Sequence, residues 1–200
     1  ACKRIIVAED FYGAMQRPHV RLVTEAIDRI VPEGVRTVDG QVHDLSVLAL
    51  ATGFRVDRFL RPMEVVGPTG LRLSEAWAER PNAYLSLTVP GLPNLFMVNG
   101  PNGPVGNFSL IEVAELQMEY SLQLVDRIAA GDCRLVEPST EATEAHEAAR
   151  VEAAGKTVWT TGCNSWYLDD RGVPMAWPWP FQEFQRRMAT PDLDAYQLTG

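Results

Sequence analysis

The 200-residue sequence has only three cysteines, Cys2, Cys133 and Cys163, too few and too widely spaced for a disulfide framework. Free thiols in a reducing, cytoplasmic setting are expected instead. The three histidines, His19, His43 and His146, are isolated and lack metal-ligand spacing, so no zinc site is expected. Positive charge is scarce: 18 Lys and Arg stand against 26 Asp and Glu, a net charge of -8. That excludes a binder of nucleic-acid backbones, which needs a basic face. No apolar run approaches the roughly 20 residues that span a bilayer. The longest, Val47 to Ala51, has the length of a strand. No signal peptide is read at Ala1-Cys2-Lys3-Arg4, which leads straight into Ile5-Ile6-Val7. The absence of an initiator Met and the opening inside an expected strand point to a fragment. What is present is an ordinary globular balance, 46% hydrophobic and 22% charged, enough to bury a core.

Residues 1–53 read as β-rich. Val20 to Thr24, Ala26 to Val31 and Val35 to Val38 are expected strands. Pro32-Glu33-Gly34 and Asp39-Gly40 supply the turns. Leu45 to Leu50 reads as a strand buried on both faces. Residues 54–94 are rich in Pro and Gly and read as a long connection, with a short helix near Ser74 to Ala78. Leu95 to Val98 is a second buried-strand candidate. It runs into the glycine loop Gly100-Pro101-Asn102-Gly103-Pro104-Val105-Gly106.

A helix follows. Ser109 and Glu112 fit a capping box, Gly131 fits a stop, and Ile111, Ala114, Met118, Leu122, Val125 and Ile128 recur at helical spacing. A second helix is expected over residues 139–154, a strand over Lys156 to Thr161, and a last helix over Phe181 to Met188. The strand–glycine-loop–helix unit is suited to an anion, or to a carbonyl that becomes anionic, at the helix N-terminus. It is not a phosphate loop, because no Lys-Ser/Thr follows the glycines, and not a Rossmann fingerprint. Local physics leaves an ordinary loop and a well-capped helix open as the alternative. Lys3-Arg4 reads equally as a solvated edge, and Cys163 as a structural thiol.

Several segments together resemble the class B flavoprotein monooxygenases, and within them the Baeyer–Villiger type. They are Lys3-Arg4-Ile5-Ile6, with Asp10-Phe11-Tyr12 and Arg17-Pro18-His19-Val20; Leu50-Ala51-Thr52-Gly53-Phe54; and Pro93-Asn94-Leu95-Phe96 with Gly100 to Pro104, Glu112 and Gln117. Asn164-Ser165-Trp166-Tyr167 follows near the end. The resemblance implies an α/β fold: the C-terminal part of a flavoprotein with two dinucleotide-binding domains. Residues 1–53 would end the NADPH-binding domain, and 54–200 would hold the linker and the C-terminal part of the FAD-binding domain. The Gly-x-Gly-x-x-Gly loops and the His-Trp-Pro fingerprint of such enzymes are absent. They would belong to an upstream portion of the polypeptide.

The implied activity is FAD- and NADPH-dependent insertion of one oxygen atom of O2 beside a ketone carbonyl, through a flavin C4a-peroxide. S- or N-oxygenation, for example of a thioether, is the alternative; a non-catalytic binding or dimerisation module is another. Association into a homo-oligomer is a further expectation. By position, Arg4 resembles the catalytic arginine beside the flavin, and Lys3 the lysine that meets the extra phosphate of NADPH. Thr52 and Gly53 match the motif that closes the nucleotide-binding domain and are implied cofactor-binding residues. Leu110 matches the residue whose backbone N–H approaches the flavin's pyrimidine edge. Val105, Gly106 and Asn107 match a loop shaping the substrate pocket, with Asn107 also near the cofactor, and Trp166 matches a tryptophan contacting the nicotinamide cofactor. One position departs: Ser46 stands where many relatives carry Asp. Asp44 is two residues out of register, about 6.6 Å along a strand. Alone, the chain is expected to hold FAD weakly and to be inactive, because the pyrophosphate loop is absent.

Overall fold

The computed structural model describes residues 7–53, 55, 58–106, 108–162 and 165–200. The described residues divide into two compact units, 7–53 and 55–200.

In the first unit, a short helix α1 (Phe11–Met15) precedes an antiparallel meander of β1 (Ile27–Val31), β2 (Gly34–Thr37) and β3 (Val42–Asp44). Both turns fall where the sequence places them. Gly34 pairs with Asp44 at a point of close approach, where a Cβ would sit 2.0 Å from the His43 carbonyl oxygen. Gly40 takes φ 86°, which glycine adopts without steric cost. The Asp39 carboxylate accepts from the Thr37 hydroxyl and the Gln41 N–H, and these bonds hold its pKa below the usual carboxylate value.

Two expected strands do not form. Val20 to Thr24 is irregular. Leu45 to Leu50 is irregular as well, with Val47 82% and Leu50 73% exposed. A strand buried on both faces needs neighbours to complete its ladder and cover it. The ladder stops at Leu45, whose N–H donates to the Glu33 carbonyl, and the described residues put no strand beyond it.

The second unit holds α2 (Leu73–Ala76), α3 (Leu110–Ala130), β4 (Leu135–Pro138), α4 (Thr140–Ala154), α5 (Phe181–Met188) and β5 (Tyr196–Thr199), with β4 and β5 paired antiparallel. The Ser109 hydroxyl caps α3 by accepting from the Glu112 N–H at 3.3 Å, and Gly131 ends it at φ 82°. Ser139 caps α4 in the same way.

The face that α3 buries is not the stripe expected from spacing. Val113, Gln117, Tyr120, Ser121 and Leu124 are buried, whereas Ile111 is 73% exposed and Met118, Leu122 and Val125 also face water. The helix carries two apolar stripes. The buried one is chosen by aromatic partners from the tail, Trp177, Phe184 and Tyr196, which close the core with Leu85, Leu87 and Val136. Leu95 to Val98 is extended loop rather than strand, and Lys156 to Thr161 contains a 3-10 turn (Val158–Thr160) instead of a strand. The sequence reading also missed β4 and β5, each only four residues long.

His146 of α4 is buried among the rings of Tyr84, Trp177 and Trp179. Arg187 Nη1 lies 3.4 Å from its Nδ1. Because arginine only donates, Nδ1 must accept, and the ring is neutral with its proton on Nε2. Burial first, then the Arg187 charge, pulls the His146 pKa down to about 4 from 6.5. Between these values the unfolded chain binds the proton and the folded chain does not. Stability is therefore complete above pH 6.5, falls as the pH drops towards 4 and levels off below it. The expected loss from this group is about 3 kcal/mol. Urea midpoints measured across this window should fall more steeply for the native chain than for His146→Phe; parallel curves would show that His146 is not held neutral.

Candidate functional site

The loop from Gly100 to Gly106 enters α3 and is pinned from three directions. From α3, the buried Gln117 side chain accepts from the Asn99 N–H at 2.7 Å and donates to the Ser86 carbonyl at 3.4 Å. From the 83–88 turn, Ser86 packs so closely that a Cβ on Gly100 would lie 2.3 Å from its carbonyl oxygen. From the tail, the Trp177 N–H donates to the Gly103 carbonyl at 3.0 Å. Only a glycine fits position 100, and Gly106 takes φ 87°.

Opposite this loop lies residues 165–175, a turn organised by Asp169. Its carboxylate accepts from the N–H groups of Arg171 and Val173 and from the Arg171 guanidinium. Within the turn, the Met175 N–H donates to the Tyr167 carbonyl at 2.7 Å. Arg150, from α4, holds the Pro174 carbonyl at 2.6 Å.

Between loop and turn is a cavity of about 240 Å³. Phe59, Pro101, Val105, Trp166, Tyr167 and Met175 wall it, and Asn102 is its polar side chain. A second cavity, of about 390 Å³, shares Pro81, Trp166 and Met175 with the first but carries Glu79, Arg80, Asp169 and Asp170. An apolar chamber with a single amide suits a small organic molecule with one polar group.

The structure thus brings Val105 and Trp166 to one cavity, with Gly106 at its rim: a Cβ there would be 3.8 Å from the Tyr167 hydroxyl. Leu110 is the first residue of α3, and its carbonyl accepts from Asn99 Nδ2 at 3.3 Å. The helix geometry leaves its N–H without an intrahelical acceptor. Thr52 and Gly53 lie in exposed coil of the other unit. Lys3, Arg4 and Asn107 lie outside the described residues. Sequence reasoning missed Tyr167 as a wall, together with Phe59, Asn102 and Met175. Only the neighbouring Trp166 carried a signal, because the other three sit in loops without periodicity.

No family model matches the chain. Similar proteins are nonetheless clear. An uncharacterized monooxygenase of Mycobacterium tuberculosis is 42% identical over 98% of this chain. A Baeyer–Villiger monooxygenase of Streptomyces coelicolor is 32% identical, also over 98%. Among solved structures, NADP+-bound cyclohexanone monooxygenase from Rhodococcus sp. Phi1 superposes over the whole chain with a TM-score of 0.86 at 30% identity. The chain spans 40% and 38% of the two relatives' lengths and 39% of the solved chain. The α/β fold is that of part of a two-domain flavoprotein. On sequence and fold together, the chain is similar to part of the flavin-dependent monooxygenases, a group that includes Baeyer–Villiger enzymes.

Proposed function

We propose that the chain is the C-terminal portion of a cytosolic FAD- and NADPH-dependent monooxygenase that inserts one oxygen atom of O2 beside a ketone carbonyl. The observation that carries this reading is the cavity joining Val105 of the glycine loop to Trp166. Two positions that the resemblance assigns to substrate and to nicotinamide cofactor line one apolar chamber. Residues 1–53 are read as the end of the NADPH-binding domain and residues 54–200 as linker and C-terminal FAD domain. The free, buried Cys133 supports a reducing compartment. Among the described residues, no helix is long and apolar enough to cross a membrane.

The residues present fit a flavin. Asn99 Oδ1 is buried and has no hydrogen-bond partner among the described residues, and it lies beside the first turn of α3. A free acceptor at the helix end that also presents the N–H of Leu110 would match an imide edge, which offers one donor between acceptors. Bound FAD, reduced by NADPH, supplies the activated oxygen. The chain's own residues would do the rest. Leu110 and Asn99 would orient the ring edge. Val105 and Gly106 would bound the substrate, Trp166 would meet the nicotinamide cofactor, and the apolar walls would keep water out. Arg4 provides a permanent positive charge where negative charge develops.

Trp166→Ala in the full-length protein tests this. Trp166 is 54% exposed. Because it is read as a cofactor contact rather than a core anchor, its loss should leave the melting temperature without NADP+ nearly unchanged, weaken NADP+ binding and release more hydrogen peroxide per NADPH consumed. A stability loss of about 3–5 kcal/mol, as for a core aromatic, with normal coupling of NADPH to product would reject the cofactor role.

A further inference from the structure

Trp166 is an unusual wall. It borders both cavities and is more than half exposed, so packing of its own does not fix its ring. Its indole instead stacks on the ring of Tyr167, with centroids 3.9 Å apart and planes 26° apart. Tyr167 stacks in turn on Trp159, at 5.3 Å and 19°. The middle ring is buried, and the three form one short column. Tyr167 is further fixed by its backbone. Its N–H donates to Ser165 Oγ, its carbonyl accepts from Met175, and its hydroxyl sits at the Gly106 loop.

We infer that Tyr167 is a positioning residue: backed by Trp159, it holds the Trp166 indole in the orientation in which it would meet the nicotinamide cofactor. The inference rests on the reading of Trp166 as the cofactor contact. The physical argument is preorganisation. An exposed indole on a turn samples several rotamers, and a ligand that stacks on it must first immobilise it. A ring column removes that cost before binding, because stacked aromatic pairs favour one offset geometry. Tyr167 also touches the Gly106 side of the chamber, so one residue sets the distance between the substrate wall and the cofactor wall.

The test is NADP+ affinity, measured by calorimetry on the full-length protein, for four variants. Trp166→Ala reports on the cofactor reading itself. Tyr167→Phe keeps the ring and should stay within about twofold of the native affinity. Tyr167→Leu removes the middle ring and should weaken NADP+ binding by about 3- to 10-fold, the worth of an aromatic pair. Trp159→Leu removes the outer ring of the column at a residue that lines neither cavity; it should weaken binding in the same direction and decides the matter if Tyr167→Leu does not fold. Native affinity in Tyr167→Leu or Trp159→Leu, alongside weakened binding in Trp166→Ala, would overturn the positioning role and leave the cofactor reading standing. An equal loss in Tyr167→Phe and Tyr167→Leu would also overturn it, since the hydroxyl and not the ring would then be responsible. Native affinity in Trp166→Ala would remove the cofactor reading and this inference together.

Discussion

Arg150→Ala should lower stability by about 3–5 kcal/mol, the cost of stranding one partner of a buried ion pair. Arg150 is 1% exposed. Its guanidinium grips Glu147 with both prongs, at 2.6 and 2.8 Å, and spends its remaining arm on the Pro174 carbonyl at 2.6 Å. Truncation leaves the buried Glu147 carboxylate with Arg80 at 3.4 Å as its remaining ion-pair partner, and frees the Pro174 carbonyl. The same change unties the turn that carries Tyr167 and Met175, so the chamber should loosen with it. Replacing both partners, as Arg150→Met with Glu147→Leu, should recover part of the loss, because an apolar pair carries no desolvation penalty, although the Pro174 carbonyl and Arg80 stay without their partners. Urea denaturation of both variants measures this. A single variant within about 1 kcal/mol of the native chain would contradict the role given to this pair.

The second large effect is expected at Arg4. In the full-length protein, Arg4→Ala should leave FAD bound and lower oxygenation about 10²–10³-fold, the usual loss when one preorganised charge is removed from a developing anion. Arg4→Lys should rescue poorly, because an ammonium does not reproduce the planar fork of a guanidinium. Product formation by Arg4→Ala at the native rate would show that the family role does not belong to this position.

What the sequence revealed divides along physical lines. Helices α3, α4 and α5 were legible from local signals: the Ser109 cap and Gly131 stop for α3, and the helical stretches 139–154 and Phe181 to Met188 for the other two. The β1–β2–β3 meander was legible from its turns. Leu45 to Leu50 and Leu95 to Val98 were misread because strand formation depends on a neighbour, which a local apolar run does not supply. The buried face of α3 was misread for a related reason. Two stripes competed, and aromatic residues from distant Trp177, Phe184 and Tyr196 decided between them. At the site, Val105, Gly106 and Trp166 were reachable through resemblance. Tyr167, Phe59 and Met175 join them only through the tertiary fold, and Asn99 and Gln117 act through backbone contacts that leave no pattern in sequence.

The most direct measurement is the flavin content and product spectrum of the full-length polypeptide containing this chain, supplied with NADPH, O2 and paired ketone and thioether substrates. The account predicts a yellow protein with about one FAD per chain, as the dinucleotide-binding architecture requires, and conversion of the ketone to its ester or lactone only when both NADPH and O2 are present. A flavin-free protein, or one that consumes NADPH without oxygenating either substrate, would contradict it.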